Sequence, residues 1–215
     1  MANYLGFNAA QASILGDEAR LAHWVQELHA LTEEHGYPQW SAVVPIFEGQ
    51  LQLTRGEAKA AVTLMRQGLD AYRATGATIY CAHFAILLGE ALTQDGRLDE
   101  ALSLLEDQIA AVSATGELWC AAELHRRRGQ LLLEGTVPDF AGAETEFLRA
   151  MDIARGQSAK LWELRAAVSL AHMWRDQDRK SDAHHLLSPI YAWFTEGFDC
   201  ADLKAAKSLL EELSH

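Results

Sequence analysis

Nine histidines, three cysteines and several acidic pairs are the residues of this 215-residue chain with the chemistry to hold a metal or move a proton. A zinc site needs ligands that converge on one ion, as the two histidines of an HExxH helix do. His23, His29 and His35 recur at intervals of six, and His184 and His185 are adjacent, so neither set converges. Cys81, Cys120 and Cys200 form no CxxC pair and read as reduced core thiols of a cytoplasmic protein. Glu33-Glu34, Asp99-Glu100 and Glu211-Glu212 could in principle act as general acid and base, but each pair lies beside a predicted helix end on a polar face. Arg126-Arg127-Arg128 spans most of a helical turn, so its members point in three directions, a poor cradle for phosphate. No GxxxxGK[ST] phosphate loop occurs. The chain therefore reads as a non-enzyme that needs no cofactor and no metal.

Composition narrows the partners. Thirty acidic residues against 18 basic ones give a formal charge of -12, which repels phosphate backbones and anionic headgroups. Nucleic acid and membrane are excluded on that ground, and protein or peptide remains. The first twenty residues carry no basic stretch followed by a long apolar run, so neither a secretory signal nor a transmembrane span is expected.

The elements that would position these residues follow a clock. Gly16, Gly56 and Gly96 stand 40 apart, and Gly36, Gly76 and Gly116 keep the same interval 20 residues later. Two turn signals per period imply two helices per period. A third series, Gly49, Gly89 and Gly129, falls inside the first helix of each pair, with Ala61 and Ala101 twelve residues after the first two. Small residues at those places predict a close crossing of the two helices, Gly49 on Ala61 and Gly89 on Ala101. Trp40, Tyr80 and Trp162 open first helices and are expected to wedge successive hairpins together. The clock slips once at 134–139, after which Ala171 and Ala183 restore the spacing of twelve.

The resulting fold is all-α, a right-handed α-solenoid forming one domain over 1–215. Its hairpins are expected at about 4–35, 38–74, 78–114, 118–155 and 159–195, followed by a capping helix at about 200–213 with Asp199 and Asp202 at its start.

Small residues twelve apart, as in Gly49 with Ala61 and Gly89 with Ala101, resemble the tetratricopeptide repeat (TPR), and the longer period resembles the variant found in activators of the maltose-regulator type. Residues 116–119 (GELW), 122–126 (AELHR), 163–167 (ELRAA) and 191–199 (YAWFTEGFD) follow in an order similar to the C-terminal repeats of bacterial signalling proteins built on a STAND-type ATPase, some with an adenylate cyclase. That resemblance implies a repeat region that senses or binds something and restrains the ATPase.

The residues expected to face a partner are the long polar ones on the inner face of the first helices. They are Gln50, His83, Glu90, Glu123, Arg126, Gln130, Arg165, His172 and Arg175. The function they suggest is a regulatory interaction module that binds a protein segment, or a domain of its own parent protein, on the concave face. The alternative is a sensor that holds a small molecule or peptide in the superhelix groove. Arg126, Arg165 and Arg175 are expected to form a basic strip suited to an acidic segment.

Overall fold

The computed structural model describes residues 1–214, and every helix or strand element among them is helical. The helices are α1 (Ala2–Leu15), α2 (Glu18–His35), α3 (Pro38–Thr54), α4 (Ala58–Ala74), α5 (Cys81–Gln94), α6 (Leu98–Thr115), α7 (Ala121–Leu133), α8 (Phe140–Gly156), α9 (Lys160–Asp176), α10 (Lys180–Tyr191) and α11 (Ala201–Leu213). A short 3-10 turn, Leu118–Cys120, leads into α7. Two compact units result, residues 1–108 and Ile109 onward, with the division inside α6.

The turns follow from backbone chemistry. At the end of α3 the chain must reverse within a few residues, and Gly56 supplies φ +79, a left-handed conformation in which a Cβ would be strained. The Glu57 amide then donates to Gln52 O at 3.1 Å, using a carbonyl that the helix itself leaves open. Between α8 and α9 and between α9 and α10 the same turn is made without glycine. Ser158 (φ 56) and Asp178 (φ 61) take the left-handed place, and Ala159 and Arg179 donate back to Ala154 O and Trp174 O.

In the first unit α1 packs on α2 and α3 on α4, while the first helices α1, α3 and α5 also touch one another in sequence. The α3/α4 crossing is tight in both directions. A Cβ added at Gly49 would lie 3.0 Å from Ala61 O and 2.8 Å from Met65 Cγ; one added at Gly68 would lie 2.8 Å from Ala42 O and 2.5 Å from Ile46 Cγ1. The expected crossing of Gly89 on Ala101 is not formed. Leu105 occupies that place, 3.5 Å from an ideal Cβ at Gly89, because its branched side chain props the two helices apart. Trp40 does wedge hairpins: its ring fills the space where Gly6 lacks a side chain, and its Nε1 donates to Asn3 Oδ1 at 2.9 Å.

In the second unit α7 packs on α8, α9 on α10, and α11 against both α9 and α10. Gly129 admits the ring of Phe147, 2.7 Å from where its Cβ would stand. The core here gathers Phe147, Met151, Leu164, Leu170, Leu187, Leu203 and Leu209, all buried. Helix α10 stops at Tyr191, four residues before the expected boundary and two after Pro189, which withholds one backbone donor. Asp199 and Asp202 do not cap α11. Its N-cap is Cys200, without a side-chain bond, and Asp202 is drawn away to an arginine. No helix among the described residues is long and apolar enough to cross a membrane.

Candidate functional site

The first helices carry long polar side chains on the flank where they meet the next first helix, and the structure organises these into one cluster per unit. In the first unit the cluster is small and buried. Ser13 of α1 donates its hydroxyl proton to Gln50 Oε1 of α3 at 2.6 Å, and Ser13 Oγ itself lies 2.8 Å from His83 Nε2 of α5. A serine hydroxyl has one proton, so the His83 contact requires Nε2–H as donor and Ser13 as acceptor. His83 is buried and Gln50 half-buried. Glu90, two turns further along α5, is half-buried.

In the second unit α7, α9 and α11 build a longer ladder. Glu123 is buried at 7% exposure and receives Arg126 through two bonds, Nε to Oε2 at 2.7 Å and Nη2 to Oε1 at 2.5 Å. Arg126 Nη1 continues to Ser169 Oγ of α9 at 3.2 Å. One turn earlier on α9, Arg165 grips Asp202 of α11 with two parallel bonds of 2.8 Å. Arg175 closes the ladder on Glu212 at 2.9 Å, with Asp176 beside it. Gln130 accepts from Arg127 at 3.0 Å. Trp162 flanks the ladder under the Arg165 guanidinium, 5.0 Å from ring centre to Cζ.

Electrostatics follow from these pairings. Burial works to raise the Glu123 carboxyl, but Arg126, with Arg165 and Arg127 behind it, holds it below the usual carboxylate range. Burial, reinforced by the Arg175 guanidinium, lowers the His172 imidazole against the opposing pull of Asp176 and Glu212. Burial also pushes the Cys120 thiol well up, with Glu123 adding to it, so that cysteine is held protonated.

Arg126, Arg165 and Arg175 therefore do lie on successive first helices, but they do not form a free basic strip. Each already holds a carboxylate. Arg126, Arg127 and Arg128 diverge as their positions on one turn require, to Glu123, Gln130 and Glu146 respectively.

The carboxylate partners are residues that sequence reasoning missed, although a signal for them exists. Asn3 with Trp40, Ser13 with Gln50, Arg165 with Asp202 and Arg175 with Glu212 are all 37 residues apart. A repeat of 40 whose first helices are staggered by about one turn brings i against i+37, because helical side chains lean toward their N-terminus. Searching for opposite charges at 37 would have found both ion pairs.

Other reactive residues are occupied locally. His29 lies between Glu33 and Glu48, His23 packs on Trp24, and the His184 and His185 rings stand at 82° with centres 6.3 Å apart. Among the described residues no three His, Cys, Asp or Glu side chains gather as a metal site would require. A cleft of about 180 Å³ opens between α4, α5 and α6 over Leu69, Leu88, Leu92 and Leu104. Arg66 and Glu100 line it and pair with each other. It is smaller than the roughly 300–1,000 Å³ of ordinary ligand pockets.

No family model and no curated protein matches the chain. Among solved structures it is similar to the nearly identical TPR-like repeats of a Podosopora anserina protein described as a kinesin light chain. A single-substitution variant of those repeats gives a TM-score of 0.59 at 14% identity, covering 88% of this chain and 92% of that one. A second structure of the repeats gives 0.57 at 15% identity, covering 88% and 93%. At this identity the likeness concerns the fold, an all-α array of TPR-like helical hairpins.

Proposed function

We propose that this chain is a non-catalytic interaction and regulatory module of a bacterial signalling protein, binding a protein segment or a domain of its parent protein along its first helices. The observation that carries the reading is the ladder on α7, α9 and α11. Long polar side chains from three helices are fixed there by charge-assisted bonds, and fixing them before a partner arrives removes part of the ordering cost of binding. The resemblance of residues 116–199 to repeats that follow a STAND-type ATPase supports the regulatory part of the reading.

The members divide by depth. Glu123, Arg126 and Arg165, like Gln50 and His83 in the first unit, hold the face in shape. Half-exposed Gln130, His172 and Arg175, with Glu90 in the first unit, are the ones that touch a partner. Because the arginines are already neutralised, recognition runs through hydrogen bonds and the Trp162 edge rather than through net charge. An uncharged or mixed-charge segment fits this face better than an acidic one.

The test begins with capture of partners on the full chain. The captured partner is then titrated by calorimetry against Gln130→Ala/Arg175→Ala and against Arg149→Ala/Asp152→Ala, a pair on the exposed side of α8. The reading expects a loss of about tenfold or more for the first pair and little change for the second. Equal losses, or a loss confined to the α8 pair, would move the site off the first helices.

A further inference from the structure

Helix α1 contains no charged residue in a chain of formal charge -12. Its buried side, Ala2, Leu5, Gly6, Ala9, Ala10, Ala12 and Ser13, is spent on the rest of the first unit. The opposite side is a stripe of Tyr4, Asn8, Gln11 and Leu15, flanked by Phe7. Tyr4 is 58% exposed, Phe7 49% and Leu15 40%, yet the two aromatic rings are not loose. Tyr4 stands edge-on to half-buried Trp24 at 5.7 Å and Phe7 edge-on to buried Trp40 at 5.5 Å, so a tryptophan holds each in place. Helix α11 contrasts with it. The exposed side of α11 carries the ionic side chains Lys204, Lys207, Glu211 and Glu212.

The order of residues along the stripe identifies what covers it. Tyr4, Asn8, Gln11 and Leu15 are spaced by four, three and four, and their types run apolar, amide, amide, apolar. The pattern reads the same in both directions. Two such helices laid antiparallel about a twofold axis between residues 9 and 10 set Tyr4 of one against Leu15 of the other, and Asn8 against Gln11, twice over. An interface between identical copies related by a twofold axis must be self-complementary in this sense. Asn8 Nδ2 donates to Tyr4 O within its own helix at 2.7 Å, which leaves Asn8 Oδ1 as the acceptor for the Gln11 amide of a second copy. Charge favours the same occupant. Two molecules of -12 repel most weakly where the facing helices carry no charge, and stacking α1 on α11 of another copy would strip water from four ionic side chains.

We infer that α1 is a homodimerisation helix, pairing antiparallel with α1 of a second copy so that residues i and j meet where i and j sum to 19. Helix α1 spans roughly 21 Å, which places the contact at the small end of specific interfaces and its dissociation constant on the order of 10 to 100 μM.

Sedimentation equilibrium of the full chain over about 5 to 500 μM tests this, with the mass expected to rise from 23.7 kDa toward twice that value. Tyr4→Lys alone and Leu15→Glu alone should each hold the chain at the monomer mass with helical content unchanged. An equimolar mixture of the two variants should pair again, because the introduced lysine then faces the introduced glutamate while the remaining tyrosine and leucine face each other. A monomer at every concentration, a dimer indifferent to both substitutions, or variants that fail to pair when mixed would each overturn the inference.

Discussion

Gly49 and Gly89 occupy the same place in successive repeats, yet replacing each by alanine should move stability in opposite directions. In both, alanine raises helix propensity by about 1 kcal/mol relative to glycine. At Gly89 the new methyl meets only Leu105, at 3.5 and 3.7 Å, ordinary contact distances. The gain is retained there and Gly89→Ala should stabilise by about 0.5 to 1 kcal/mol. At Gly49 the methyl would stand 2.8 Å from Met65 Cγ and 3.0 Å from Ala61 O. Met65 can shift but the carbonyl belongs to the α4 backbone, and overpacking of this kind costs about 1 to 3 kcal/mol. Gly49→Ala should therefore destabilise by up to about 2 kcal/mol after the propensity gain is subtracted. Both residues lie in the first unit, so one urea titration followed by circular dichroism at 222 nm reports on both, provided the slope is unchanged. Gly89→Ala destabilising as much as Gly49→Ala would show that α5 and α6 cross as closely as α3 and α4, and the reasoning would fail.

Asp202→Asn should release α11 from α9 by weakening the Arg165 pair, which is 12% and 22% exposed, at a cost of about 1 to 3 kcal/mol, read as faster amide exchange confined to α11 and its contacts. Asp178→Gly should stabilise by up to about 1 kcal/mol in thermal melts, since Asp178 holds φ 61 where glycine is unstrained. Melting temperature should fall on acidification in two stages. Folded His172 titrates below its unfolded value, so the unfolded chain binds more protons and stability drops as pH falls from about 6.5 toward the folded value. Glu123, Glu146 and Glu163 are held low in the folded state, so their contribution, present above about pH 4.3, is lost as pH falls through their folded values. His172→Gln should remove the first stage and leave the second.

The helices were legible because turn glycines and apolar periodicity are local properties. The hairpin bounds at 35, 38 and 74 fall where they were expected, as the end of α2, the start of α3 and the end of α4, and the end of α8 and the span of α11 agree within about one residue. Legibility weakened where the same backbone conformation is adopted without its usual residue: Ser158 and Asp178 continue the twenty-residue spacing of left-handed turns, but neither serine nor aspartate announces one. The crossing at Gly89 was misread for a related reason. Gly49 and Gly89 share a repeat position, and only the three-dimensional placement of Leu105 separates them. The first-helix face was legible in residue type but not in charge, since Arg165 and Arg175 look free until Asp202 and Glu212, 37 residues away, are brought against them.

Repeat arrays are commonly treated as one-dimensional chains in which each unit feels only its neighbours. The Ser13 hydroxyl departs from that description, because it meets Gln50 in the second hairpin and His83 in the third. Undocking α1 would take the Ser13 hydroxyl from the buried His83 and the half-buried Gln50 at once, at a cost of about 0.5 to 1.5 kcal/mol for each lost bond. A coupling that skips a hairpin suppresses fraying. The first three hairpins should accordingly lose structure in a single cooperative step, and a nearest-neighbour fit to the unfolding of the first unit will need a second-neighbour term.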